Sequence, residues 1–407
     1  MTPLIMEKHI HSILNYWKSA VDWKNGGIFY IRDPFDKIKK DENKCLLMHV
    51  RQLYNFSVGY ELKNQECEKI AKHLFNTLDP LFLKREGLYA SFSKTKNKID
   101  SKEEFSAYNQ FYAVVGLSRY ARAFNDKKAW YKAKDLFFHS KKSFSGKKKF
   151  RYFGVFASWN PHEKNLLWKN GNTILHLYEA LINLSLSLSV FSKEEQKKEL
   201  ALLLKELDDT LFLITNKIYD RKRKVMLEYF EDDLSISDYQ LYGSVTNAHA
   251  LEWIGFMIEM ELITGKTIPF LNKEGKLLLD LSFKRAESKS GGFKNHYFLK
   301  EQKSIDFIDF WSQVEAILAA CYAYKRYNDK KYLSYAKKLW KFYTRYFFDT
   351  EFGGIYSEVT SEGIATDRRK GHRFKCDHHN LRMAEKILFY RLLSSDRLLP
   401  FDFETKI

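Results

Sequence analysis

The run FWSQVEAILAACYAYKRYNDKKYLSYAKKLWKFYTRYFFDTEFGGIY, residues 310–356, holds one complete structural unit. Its first part, 310–328, repeats apolar and small residues with a helical period. From Ala316 to Tyr324 the small side chains are dense enough to suit a helix enclosed by its neighbours. The second part, 331–346, sets lysines on one side and Leu, Tyr and Trp on the other, the pattern of a helix with one wet face. The run closes on Gly353-Gly354-Ile355-Tyr356, where a glycine pair permits the positive-φ turn of a short hairpin and the aromatics begin a strand.

Outward from this unit the theme recurs at a spacing of roughly 60 residues, the mark of stacked supersecondary units. The matching glycine signals are Gly26-Gly27-Ile28-Phe29-Tyr30, Gly87-Leu88-Tyr89 and Gly291-Gly292-Phe293. Around Phe150 to Phe156 and Val225 to Phe230 the glycines are missing but the strand-like aromatics remain. Polar-faced helices are expected near 3–20, 66–78, 127–140, 193–215, 268–284 and 331–346. They alternate with segments richer in apolar and small residues at 45–63, 104–122, 171–190, 246–264, 310–328 and 378–394. The series predicts an all-α fold, an (α/α)6 barrel of six inner and six outer helices with short β-hairpins in the connecting loops. No linker breaks it, so residues 1–407 read as a single domain.

Composition narrows the function. Aromatics at 16% suit both helix packing and a sugar-binding surface. The net charge of +17 raises nucleic acid as a partner. Its lysines, however, are interleaved with Asp and Glu along the whole chain, as on a solvated surface. The densest runs, Lys147 to Phe153 and Arg221 to Lys224, sit in no nucleic-acid motif. Cys45, Cys67, Cys321 and Cys376 fit no zinc or redox spacing. With no apolar signal region near the start, a reduced cytoplasmic protein is expected.

Out-of-place polar residues gather at the starts of the inner segments. Two are histidines with a charged residue three positions on, His249 with Glu252 and His379 with Arg382. Residues three apart share a helix face, and histidine exchanges protons near neutral pH. The other starts carry Arg51, Tyr108, Asn172 with His176 and Glu179, and Trp311 with Glu315. Parallel inner helices would collect these at one end of the ring, in a pocket suited to a polyhydroxylated molecule. His378 beside His379 is no metal pair, because adjacent helical residues point about 100° apart. No Walker-type loop is present, and no cofactor or metal site is expected.

In this order the motifs resemble those of the N-acylglucosamine 2-epimerase superfamily, which includes cellobiose 2-epimerases and aldose–ketose isomerases. Arg51 with Tyr54-Asn55-Phe56-Ser57 is similar to the family's Arg followed by Trp-x-Phe-Ser. Asn172, His176, Glu179 and Ala180 match Asn-x-x-x-His-x-x-Glu-Ala; His249, Glu252 and Trp253 match Gly-His-x-x-Glu-Trp, with Ala248 in place of the Gly. Trp311, Gln313 and Glu315 match Trp-x-Gln-x-Glu, and Lys375, His379 and Arg382 match Lys-x-x-x-His-x-x-Arg. Tyr54 and Phe310 stand where the family has Trp, Asn109 where Asp is common, and Asp377-His378 where Pro-Tyr is usual.

The resemblance implies a six-hairpin α/α barrel and a sugar 2-epimerase or aldose–ketose isomerase working on a free reducing sugar. His249 and His379 would be the acid/base pair at C2, and Arg51 would hold the enediolate charge. Glu252 and Glu315 would orient the histidines or grip hydroxyls. Tyr108, Asn172, His176 and Arg382 would bind hydroxyls or assist ring opening, with Trp311 as a stacking wall. Altered Tyr54 and Phe310 would mark changed sugar-stacking walls. His9, His11, His73, His139 and His296 read as ordinary packing or surface residues. The expected partner is a small-molecule sugar, with no nucleic acid and no membrane; a homodimer is compatible. Two other classes compete: a toroid glycoside hydrolase or lyase using Glu252 and Glu315, and a non-catalytic sugar-binding protein.

Overall fold

The structure is a computed structural model that describes residues 1–40, 43–82, 84–93, 105–145, 156–160, 165–231, 233–238, 240 and 243–394. Twelve α-helices occur among the described residues. The outer ones are α1 (Pro3–Lys18), α3 (Gln65–Leu81), α5 (Lys127–Phe144), α7 (Lys193–Leu213), α9 (Lys276–Ala286) and α11 (Lys330–Tyr346). The inner ones are α2 (Leu46–Glu61), α4 (Ala107–Phe124), α6 (Gly171–Leu186), α8 (Asn247–Thr264), α10 (Phe310–Tyr327) and α12 (His378–Phe389). Each inner helix packs on the next, and α12 closes the ring on α2. Helix α1 packs chiefly on α12, so the first outer helix backs the last inner one. The molecule is an (α/α)6 barrel.

Local sequence explains the corners. Asn125 and Asn328 end α4 and α10 in the left-handed conformation (φ 52° each) that asparagine tolerates. The next residues, Asp126 and Asp329, accept hydrogen bonds from the first free amides of α5 and α11. One Asn-Asp dipeptide thus stops an inner helix and starts an outer one. Where α2 and α4 cross, Gly116 lets the backbones meet: a Cβ there would lie 2.5 Å from the Val50 carbonyl oxygen. Inner helix α6 and its short extension, Gly171–Val190, are long and apolar enough to cross a membrane. Burial inside the ring accounts for that character.

Short sheets join the helices. Gly353 and Gly354 (φ 77° and 75°) turn the chain so that Phe348 pairs with Ile355, as the glycine signal predicts. In the glycine-poor unit, β6 (Tyr219–Asp220) and β7 (Val225–Met226) still pair, because Lys224 takes the left-handed conformation (φ 55°). The basic run Arg221 to Lys224 is the turn of that hairpin, with Arg223 on Asp220. The run Lys147 to Phe153 lies outside the described residues. Two sheets frame the site: β9 (Ser244–Thr246) with β10 (His296–Phe298), and β12 (Ile308–Asp309) with β13 (Glu358–Val359). Strands β9 and β12 run directly into α8 and α10.

Candidate active site

The starts of the inner helices surround a cavity of about 320 Å³. Arg51 from α2, Tyr108 from α4, and Asn172 with His176 from α6 line one part of it. His249 and Glu252 from α8, Trp311 from α10 and His379 from α12 line the rest. The parallel inner helices bring together eight of the residues singled out in the sequence. Two others, Glu315 and Arg382, are not among the lining residues.

The two histidines have matching local geometry. His249 Nδ1 lies 2.9 Å from Glu228 Oε1, and His379 Nδ1 lies 2.8 Å from Glu315 Oε1. A carboxylate accepts, so each ring donates from Nδ1 and leaves Nε2 for chemistry. The Trp311 ring sits 5.2 Å from the His249 ring and 5.8 Å from the His379 ring. The Arg51 guanidinium lies 3.3 Å from His379 Nε2, donates to the Tyr108 hydroxyl at 2.9 Å and to the Phe374 carbonyl at 3.1 Å.

Their electrostatics differ. Burial, with the charges of Arg51 and Arg382, pushes His379 well below the ordinary histidine range. It is a neutral base at pH 7. Glu228 is buried, which opposes ionisation, but the facing His249 and the Thr246 amide hold its carboxyl below the usual range.

Arg382 lies beneath the cavity rather than in its wall. Its guanidinium meets Glu315 at 2.6 Å, Glu252 at 2.9 Å and Glu179 at 3.6 Å. Burial and the neighbouring Glu315 push the Glu252 carboxyl well above the usual carboxylate range. Its Oε2 is buried without a hydrogen-bond partner, so a protonated Glu252 can donate to a bound group. Burial also raises Glu315 against the pull of Arg382. Glu179 goes the other way: burial opposes ionisation, but Arg382 and His176 hold it down. His176 Nδ1 sits 2.7 Å from Glu179, and burial lowers this histidine to about 4. Asn172 Oδ1 is a buried acceptor without a partner at the cavity.

Glu252, Glu315 and His379 have ligand atoms within 4.8 Å of one another, close enough for a cation. The cation already there is Arg382, and His379 Nδ1 is committed to Glu315. The donor set fits a guanidinium.

Several expected placements change. Tyr54 is buried among the helices, with its hydroxyl on Glu385 at 3.1 Å, and does not line the cavity. Phe310 is covered, with the Lys375 ammonium 4.5 Å from its ring, and Asn109 donates to Ser91 at 2.9 Å. The stacking walls are therefore not altered at Tyr54 or Phe310; the exposed Phe374 is a ring that does reach the cavity. Asp377 begins α12 in the left-handed conformation and takes hydrogen bonds from Trp17 and Lys375, while His378 turns away toward Asn55. His296, read as a packing residue, lines the cavity with Asn295, Phe307 and Asp309. Sequence reasoning missed these and Glu228, because hairpin residues carry no helical spacing. The available signals were an acid within the strand-like run Val225 to Phe230 for Glu228 and an acid just before the helical segment 310–328 for Asp309, and both are weak.

With this geometry in place, the sequence model described as N-acylglucosamine 2-epimerase (GlcNAc 2-epimerase) matches residues 26–378. The cellobiose 2-epimerase of Dictyoglomus turgidum is 25% identical over 409 residues, taking in 94% of this chain and 97% of that one. The structure of cellobiose 2-epimerase from Bacillus thermoamylovorans superposes with a TM-score of 0.83 at 21% identity, covering 95% of this chain and 98% of the other. A D-mannose isomerase structure gives 0.81 at 19% identity, covering 95% and 98%. At such identities the structural likeness carries the fold.

Proposed function

Because the chain belongs to the N-acylglucosamine 2-epimerase family and is a carbohydrate epimerase or isomerase, we propose that it moves a proton at C2 of a free reducing sugar through an enediolate. After ring opening, His379 Nε2 takes the C2 proton. The C–H electron pair forms the C1–C2 double bond, and the carbonyl electrons move onto O1. Arg51, already beside His379 Nε2, receives that negative charge. His249, paired with charged Glu228, returns a proton to the opposite face of C2 and gives the 2-epimer. If instead the O2 proton first passes to O1, the C1–C2 pair takes the returned proton at C1, O2 becomes the carbonyl, and the product is the ketose. Tyr108, Asn172 and His176 meet hydroxyls, protonated Glu252 donates to one, and Trp311 stacks on the chain of the sugar.

The observation that carries this reading is a neutral, buried histidine with a guanidinium at its free nitrogen, facing a second histidine held on a carboxylate. A glycosidase reading is less well supported. Glu252 and Glu315 do not stand on opposite walls; both grip one guanidinium, and Glu315 is outside the cavity. The test is proton NMR in D₂O with glucose, mannose, N-acetylglucosamine, N-acetylmannosamine, cellobiose and an acidic hexose. The expected result is deuterium at C2 of one of them, with a new epimer or ketose. Hydrolysis of a glycosidic bond without C2 exchange would contradict it.

A further inference from the structure

Apart from the histidines, the cavity holds an acidic side chain with no part in the proton transfers. Asp309 is the last residue of β12, one position before α10, and is nine-tenths buried in the cavity wall. Asn295 Nδ2 donates to its Oδ2 at 2.9 Å. Asn295 is its one side-chain hydrogen-bond partner among the described residues. Across the sheet it pairs with Glu358, so no cation on the neighbouring strand explains the carboxyl. A carboxyl has acceptor sites on both oxygens, so one side-chain donor leaves capacity in the cavity wall that a hydroxyl can use.

Asn295 links this carboxyl to the catalytic helix. Its Oδ1 accepts from the Ala248 amide at 3.2 Å, and its carbonyl accepts from the Asn247 amide at 2.8 Å. Both amides belong to the first turn of α8, which carries His249. One asparagine therefore fixes Asp309 and His249 at a constant spacing. A sugar hydroxyl bound at Asp309 would be measured from the carbon that exchanges its proton.

We propose that Asp309 is a specificity-determining residue that receives one sugar hydroxyl on the hairpin side of the cavity, with Asn295 as the positioning residue that sets its distance from His249. The ligand chemistry is a hydroxyl donor at a fixed offset from the reacting carbon. Burial raises the Asp309 carboxyl to about 7, which suits a group awaiting a donor. This inference rests on the sugar reading above.

The test uses Asp309→Ala and Asp309→Asn in the full chain, with the converted sugar and its monodeoxy analogues. Asn at 309 can still accept from Asn295, which separates recognition from folding. Asp309→Ala is expected to raise KM about tenfold or more with kcat within about threefold, the pattern of a lost hydroxyl contact. The analogue that lacks the recognised hydroxyl should be handled equally by wild type and Asp309→Ala. Unchanged KM, or an equal penalty on every analogue, overturns the assignment. If the wild type converts no sugar, the functional reading fails by itself. Calorimetric titration of the same sugars then decides this one: affinity equal in wild type and Asp309→Ala, or no binding at all, overturns it.

Discussion

His249 and His379 are two copies of one device with different neighbours. Each ring donates from Nδ1 to a carboxylate, at 2.9 Å to Glu228 and 2.8 Å to Glu315. The next contact separates them. Burial holds His379 neutral, helped by Arg51 at the far side of the ring and by Arg382, which shares the charge of Glu315. Glu228 meets His249 and the Thr246 amide, and no Lys or Arg ion pair to it occurs among the described residues. The lesson is that an imidazole–carboxylate bond orients a ring, while burial and the charges beyond that bond hold His379 neutral.

Breaking one carboxylate at a time separates those effects. Glu315→Gln removes the negative charge that His379 and Arg382 share and leaves one carbonyl oxygen to accept from the two of them. It is expected to cost about 1.5–3 kcal/mol of stability, read by urea unfolding, and activity as well. Glu228→Gln touches one histidine, and is expected to lower kcat by about 10- to 100-fold with the unfolding midpoint little changed. Equal stability losses in the two variants would erase the asymmetry drawn here.

Acid sharpens it on a second axis. His49 and His176 are held near 4 by burial, and His379 well below its ordinary value. In the unfolded chain these groups take up protons from about pH 6.5 downward. The folded state resists doing so, so more protons bind to the unfolded chain and stability falls as pH drops. The unfolding midpoint in urea should therefore decline between about pH 6.5 and 4. Asp309 and Glu252, raised by burial, oppose this trend, and a midpoint that rises over that window would mean that they outweigh the rings.

The smallest effect tests the region behind the cavity. Tyr54→Phe removes one buried hydrogen bond to Glu385, worth about 1 kcal/mol, and leaves KM for the sugar unchanged. A change in KM without a change in stability would return Tyr54 to the sugar wall.

The barrel was legible because its helices repeat a simple contrast of wet and enclosed faces, and each inner segment begins with polar residues. His249, His379, Arg51 and Trp311 were legible for the same reason. Depth was harder. A residue three positions along a helix shares a face but lies about 4.5 Å further down the axis, and at that level Glu252 still reaches the cavity while Arg382 does not, a difference that helix spacing does not carry. Glu315 is likewise a turn below Trp311. Glu228, Asn295 and Asp309 come from hairpins whose pairing is set by the closed ring, and short strands carry no period from which to place them.

The measurement nearest the central claim is conversion of the sugar found by D₂O exchange, using His249→Ala and His379→Ala with their folds checked by circular dichroism. Net conversion should fall by about 10²- to 10⁴-fold in each variant. Conversion close to wild type in either folded variant would contradict the account.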